Sequence, residues 1–301
     1  MSTFVSRAIL SLATACALSP AAAQSRVPPS EACRRVQVAA RQAPVSVPFE
    51  LVDGRVYVEA RVNGGGPYRF AVDTGASGIG RADARLVSGL GLSPQGAVAN
   101  SDGVRTTRSE TVRLDTLALG GLARRDVEVI TRDYASRLTA AQRFDGILGR
   151  EFFADGLLVL DYPARRLLFT PGPGLAPDAA GSLGYERPFR VPATVAGVAT
   201  TAHLDTGANV TVLVPKALYG RIPGAPLQAA GPGQLTNGRI DTARGVLGGP
   251  LVLGDLQWPG LEVRVSDAFP EVLVGAHVLA RQVLAIDQRT HRVALCPPGG
   301  G

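Results

Sequence analysis

The feature that most constrains this chain of 301 residues is a repeated acidic turn. It reads Ala71-Val72-Asp73-Thr74-Gly75-Ala76-Ser77 in the first half and His203-Leu204-Asp205-Thr206-Gly207-Ala208-Asn209 in the second. Each copy ends a short apolar run on an aspartate. A single Asp-Thr-Gly is ordinary strand-end chemistry, because Asp bonds back to its own backbone. Here each copy is followed by an apolar-apolar-Gly element, Ile147-Leu148-Gly149 and Leu273-Val274-Gly275. The aspartate-to-glycine spacing is 76 residues in one half and 70 in the other. A duplicated pair of this kind implies two equivalent carboxylates that face each other.

The remaining landmarks repeat in the same order. Val62-Asn63-Gly64-Gly65-Gly66-Pro67 reads as a turn whose exit strand, 68–72, runs into Asp73. Val195-Ala196-Gly197-Val198 does the same for Asp205. Hairpins over 157–169 and 283–295 close the halves, displaced from each other by 126 residues. Low aromatic content with 36 Gly and 22 Pro favours short strands and turns over long helices. Brief helices are expected over 81–89, 150–154, 215–219 and 276–281. The expected class is mainly β: two homologous, barrel-like lobes with short helices, over 44–170 and 184–297. The Pro-Gly-rich stretch 171–183 is the linker, and 24–43 a leader or loosely packed first strand.

Two carboxyls in hydrogen-bond contact cannot both ionise, so one keeps a proton while the other acts as base. Amide hydrolysis needs that combination: a deprotonated water and a polarised carbonyl. Asp73 and Asp205 are the carboxylates with matched context in both halves. Gly75 and Gly207 let backbone approach them. Thr74 and Thr206 can bond across to the opposite loop. Ser77 could donate to the outer oxygen of Asp73, with Asn209 in a similar role beside Asp205. Ile147, Leu148, Leu273 and Val274 would keep the pair partly dry.

With these motifs the chain resembles the retropepsin and pepsin group of aspartic proteases, over about residues 44–297. The Asp-Thr-Gly-Ala form is closer to the retroviral type, here twice in one chain, as in bacterial exported relatives. The resemblance implies a two-lobed endopeptidase with one catalytic aspartate per lobe, Asp73 and Asp205, acting on a peptide or protein substrate without a cofactor. It also implies hairpin flaps, for which the turns at Asn100-Ser101-Asp102-Gly103 and Thr236-Asn237-Gly238 are candidates; Asn-Gly is itself a hairpin signal. A tyrosine is missing from the first candidate, and Asn209 replaces Ser77 in the second lobe, so the lobes are not equivalent. Because both aspartates lie in one chain, a monomer is expected. The alternative is a peptide-binding protein on the same scaffold that does not cut.

Other features point elsewhere or nowhere. The net charge of +6 rests on arginine, with Lys216 the sole lysine. No basic run exceeds two residues or interleaves with aromatics, so nucleic acid is not an expected partner. Preference for an acidic substrate does not follow until the arginines are placed. His277 and His291 are scattered and no metal motif appears, so no metal site is expected. His203 faces the same way as Asp205 and could bias its titration. Asp145 and Asp161 fit turns, and Trp258 packing or a cleft wall.

Residues 1–23 read as a secretory signal: Arg7, an apolar stretch from Ala8 to Leu18, and Ala21-Ala22-Ala23 before Gln24. Lipid anchoring at Cys16 is disfavoured because Ala, not Leu, stands three residues earlier. The expected location is periplasmic or secreted, and no segment is long and apolar enough to cross a membrane. Cys33 and Cys296 remain after cleavage. An exported pair is compatible with a disulfide, and unrelated thiols are the alternative.

Overall fold

A computed structural model describes residues 28–134, 136, 138–235 and 237–298. The expected signal segment and Cys16 lie outside them, as does Thr236 of the second candidate flap. The described chain is mainly β and forms two lobes built on one plan.

The sheet of the first lobe runs, in spatial order, Arg55–Val62, Gly65–Val72, Gly146–Leu148, Gly80–Asp83, Leu122–Arg132, Thr106–Leu119 and Gly96–Ser101, with Glu50–Val52 beyond the first. The second repeats the order with Arg190–Val195, Val198–Leu204, Val272–Val274, Val212–Pro215, Glu262–Ser266, Ala243–Val246 and Gln228–Ala229. Each opening hairpin turns on two left-handed residues, Asn63-Gly64 and Ala196-Gly197, which suit the twist of the flanking strands. The first turn is tighter than its glycine run suggests, because strand pairing resumes at Gly65. One difference between lobes has a clear cause. The long strand Thr106–Leu119 is matched by two short ones, Ala243–Val246 and Leu251–Leu253. Gly248-Gly249-Pro250 separates them, and proline has no N–H for the ladder.

A third sheet joins the lobes. Its six strands are Val45–Pro48, Arg166–Thr170, Leu157–Asp161, Val283–Asp287, Arg292–Cys296 and Ser182–Gly184, three from each half. At its centre Leu157–Asp161 pairs antiparallel with Val283–Asp287, so that Val159 lies opposite Ala285, its own counterpart in the duplication. An approximate two-fold axis passes through that pair. Side chains alternate between the faces, as a pleated strand requires. Leu158, Leu160, Leu284 and Ile286 join a core that runs through both lobes. Leu157, Val159 and Ala285 face the other way.

That second face corrects the reading of 24–43. Its described part, 28–43, is neither a strand nor loosely packed: Glu31–Arg41 is a helix. Ser30 caps it by accepting the Cys33 N–H, and Arg35 pairs with Glu31 one turn away. Ala32, Cys33, Val36 and Ala39 form a buried stripe against the joining sheet. Burying Val36 contributes about 1.5–3 kcal/mol. The stripe is short and small-residued, and charged neighbours mask it in the sequence. The other brief helices form near their expected positions, at Ala84–Gly89, Lys216–Tyr219 and Ala276–Leu279, with a 3-10 turn at Arg150–Phe153. No described helix is long and apolar enough to cross a membrane.

Cys33 in this helix is bonded to Cys296 in the last strand, with their Cα atoms 5.6 Å apart and a separation of 263 positions in sequence. Closing so long a loop restricts the unfolded chain, which in the chain-entropy account stabilises the fold by about 2–5 kcal/mol. Cys33→Ser together with Cys296→Ser is therefore expected to lower stability by that order in urea denaturation. Unchanged stability would mean that the bond contributes nothing beyond the packing of the helix.

Candidate active site

Each aspartate is placed by the strand before it and by the apolar-apolar-Gly element beside it. Val72 pairs in parallel with Leu148, and Leu204 with Val274. The ladders continue one step further: the Asp73 N–H donates to Leu148 O at 3.1 Å and the Asp205 N–H to Val274 O at 3.0 Å. Past the strands, the Arg150 N–H donates to Ala76 O and the Ala276 N–H to Ala208 O, which closes each loop. Gly149 and Gly275 are needed there. A methyl on the first would press on Gly78 O, and one on the second would lie 2.7 Å from Ala208 O.

The two loops are locked to each other through their threonines. The Thr74 N–H donates to Thr206 Oγ1 at 3.0 Å, and the Thr206 N–H to Thr74 Oγ1 at 3.1 Å. The hydroxyls go on to donate to Val72 O (from Thr206, 3.0 Å) and Leu204 O (from Thr74, 3.5 Å). Both threonines are buried, so these bonds have no water to compete with them. The grip presses each glycine against the opposite carboxyl. A methyl on Gly75 would lie 2.6 Å from Asp205 Oδ2, and one on Gly207 2.5 Å from Asp73 Oδ1.

Asp73 and Asp205 thus meet between the lobes, each against the glycine of the opposite loop and close enough for the charge of Asp205 to act on Asp73. Asp73 Oδ1 accepts from the N–H groups of Gly75 (2.9 Å) and Ala76 (3.0 Å), and Asp205 Oδ1 from that of Gly207 (2.8 Å). Both residues keep part of their surface open. Loss of hydration around the carboxyls is nonetheless the largest influence on their titration. It raises Asp73, with help from the Asp205 charge, to about 7. It raises Asp205 as well, against the pull of the Gly207 N–H. The pair therefore holds a proton well above the ordinary carboxylate range.

Small apolar clusters flank the pair. One contains Ala76 and Ile147 with Tyr57 and Phe144; the other contains Leu213, Ile240 and Leu273 with Ala208 beside them. Ile147 and Leu273 thus stand at the dyad, while Leu148 and Val274 point into the main core.

Ser77 and Asn209 do not take the places expected of them. Ser77 is exposed and makes no hydrogen bond to Asp73 among the described residues. Asn209 turns to the other lobe, donating to Asp53 Oδ2 at 2.6 Å and accepting from Arg55 Nη2 at 3.3 Å. Arg55 also donates to Gly207 O at 2.7 Å. Asp53 further accepts from Gln142, and His277 Nε2 lies 3.3 Å from its Oδ1. This inter-lobe cluster gave no sequence signal, since it joins isolated residues of two turns, the start of a strand, a 3-10 turn and a helix. His203 has its proton affinity lowered to about 4, chiefly by burial and then by Arg190. It is neutral where Asp73 titrates and does not bias the pair through its charge. Asp145 and Asp161 accept backbone N–H groups, from Arg69 and Ala164, and Trp258 packs against the core.

Hairpins occupy both candidate flap positions, one with its tip at 102–105 and one closed by the Leu235 N–H donating to Gly238 O. Asn237 fastens one to the other. Its N–H donates to Asp102 Oδ2 (2.6 Å) and its Nδ2 to Arg105 O (2.7 Å) and Asn100 O (3.2 Å). Its Oδ1 accepts from Arg132 (2.8 Å) and Thr107 (3.1 Å).

A family model described as aspartyl protease matches residues 58–152 and 191–278, one stretch in each half. No curated protein matches the chain.

Two outcomes follow from this geometry. A carboxyl whose proton affinity is raised on folding favours the native state at low pH, and that advantage fades as pH rises toward its folded value. Asp73→Asn is therefore expected to be more stable than the parent above about pH 7, with the difference shrinking toward about pH 4; urea titrations at the two extremes check this. Asn237→Ala removes its side-chain bonds between the hairpins and leaves only its backbone N–H bond to Asp102. Amides around 100–107 should then exchange about tenfold faster while the melting temperature barely changes.

Proposed function

The chain belongs to the aspartyl protease family, and on that premise we propose that it is an exported endopeptidase in which Asp73 and Asp205 activate one water. The observation that carries this reading is the reciprocal threonine grip, which sets two carboxyls side by side with raised proton affinity. In the singly protonated pair, the ionised carboxylate takes a proton from a water bound between the two. The hydroxide adds to the peptide carbonyl as the protonated partner donates to the carbonyl oxygen. Collapse of the tetrahedral intermediate returns a proton to the leaving nitrogen, and the C–N bond breaks. Thr74, Thr206, Gly75 and Gly207 position the pair. The hairpins at 102–105 and 235–238 would cover an extended peptide. The buried Cys33–Cys296 bond supports an oxidising, extracytoplasmic location, where disulfides persist. Both halves of the site come from one chain, which supports action as a monomer.

Asp73→Asn and Asp205→Asn should each reduce peptide cleavage by about 10²–10⁴-fold while leaving the fold intact by circular dichroism. Substantial cleavage by either variant would remove that aspartate from the mechanism. For the parent, activity is expected to fall as pH rises through about 7, where the shared proton is lost. A rate still climbing at about pH 9 would contradict a proton-sharing pair.

A further inference from the structure

The duplication makes one residue conspicuous. Eight positions after Asp205 stands Leu213, whose strand pairs it with Leu273 in the apolar cluster beside the dyad. Eight positions after Asp73 stands Arg81, paired in the same way with Ile147. A guanidinium thus occupies, in the first lobe, the place of an isobutyl group in the second. Arg81 is only 7% exposed. Its Nη2 donates to Asn100 Oδ1, in the first flap hairpin, across a long 3.3 Å. No carboxylate forms an ion pair with it among the described residues. Asp83, two positions along the strand, is engaged by Arg85 and by the Tyr134 N–H. Only one of its five donors is used by the protein among the described residues, on a neutral acceptor, so the others are left to water or to a ligand. It lies between the dyad loop and the flap, close enough for its charge to act on Asp73.

Resting on the peptidase reading, we propose that Arg81 selects substrates carrying a carboxylate next to the cleaved bond. A planar guanidinium suits a carboxylate better than any other group a peptide offers. Two sources of that carboxylate exist, an Asp or Glu side chain and a free C-terminus. The pseudo-symmetric Leu213 gives the other side of the dyad an apolar preference, so the two sides of the bond are read differently.

Binding of uncleavable peptides with a hydroxyethylene at the scissile position tests the assignment independently of turnover. One residue near that position is varied among Glu, Gln and Leu. A separate pair ends there in a free carboxylate or an amide. The mature parent should bind the Glu form about 10–100-fold more tightly than the Gln form at one position, or the free terminus over the amide by a similar factor. Arg81→Leu, which installs the residue of the other lobe, should erase that ratio and favour Leu; Arg81→Lys should keep part of it. If the role is purely structural, Arg81→Leu weakens all peptides equally and the Glu/Gln ratio survives, which overturns the proposal. A parent ratio near one overturns it too. Ordinary peptides of the same series then separate the two readings: cleavage without acidic preference removes Arg81's role alone. Binding with preference but no cleavage removes the hydrolytic reading alone, and failure to bind any probe removes both.

Discussion

The structure depends on four buried hydrogen bonds that tie Thr74 and Thr206 into each other's loops. They are made between halves that are far apart in sequence, at the point where two like-charged side chains meet. Alone, desolvated carboxylates would push the loops apart or draw in water. The grip holds them together, and the raised proton affinity of the pair favours a protonated form in which the repulsion is relieved. The glycines follow from the same demand, since a methyl at position 75 or 207 would occupy the space of the opposite carboxyl. The apolar-apolar-Gly strands clasp each loop from outside for the same reason.

The lobes are alike where this constraint acts and diverge where it does not. Strand order is kept through seven strands of each sheet. Away from the pair, Asn209 has left its own aspartate for Asp53 and Arg55. Arg81 replaces the equivalent leucine, and one flap carries the asparagine that fastens the other. A duplicated frame has thereby become an asymmetric site, as suits a peptide, which has direction.

Much of this was legible in the sequence, because it is encoded by local rules that appear twice. Asp-Thr-Gly-Ala, the turn before it and the apolar-Gly element after it fix the loops, the hairpins and the order of landmarks. The helix at Glu31–Arg41 was not legible, because its buried face is four small or modest residues among charges and has no second copy for comparison. The roles first given to Ser77 and Asn209 followed from assumed symmetry, whereas the Asn209 amide is drawn to a carboxylate that only the folded chain brings near. Arg55 and Asp53 lay outside any pattern. Arg81 did not: aligning position eight of both motifs would have exposed the mismatch with Leu213.

The joining sheet has a consequence for traffic. Five ladder pairs, 157–161 with 283–287, run straight across the boundary between lobes, with a helix stitched to the sheet by a covalent bond. Prising the halves apart would tear that ladder, so they are poorly suited to gape. On the proposed function, admission would then fall to the two hairpins that Asn237 ties together. Entry under hairpins alone would favour a slack, unpaired stretch of chain over a folded one, and would make the unfolding of a guest, not its composition alone, a condition of entry.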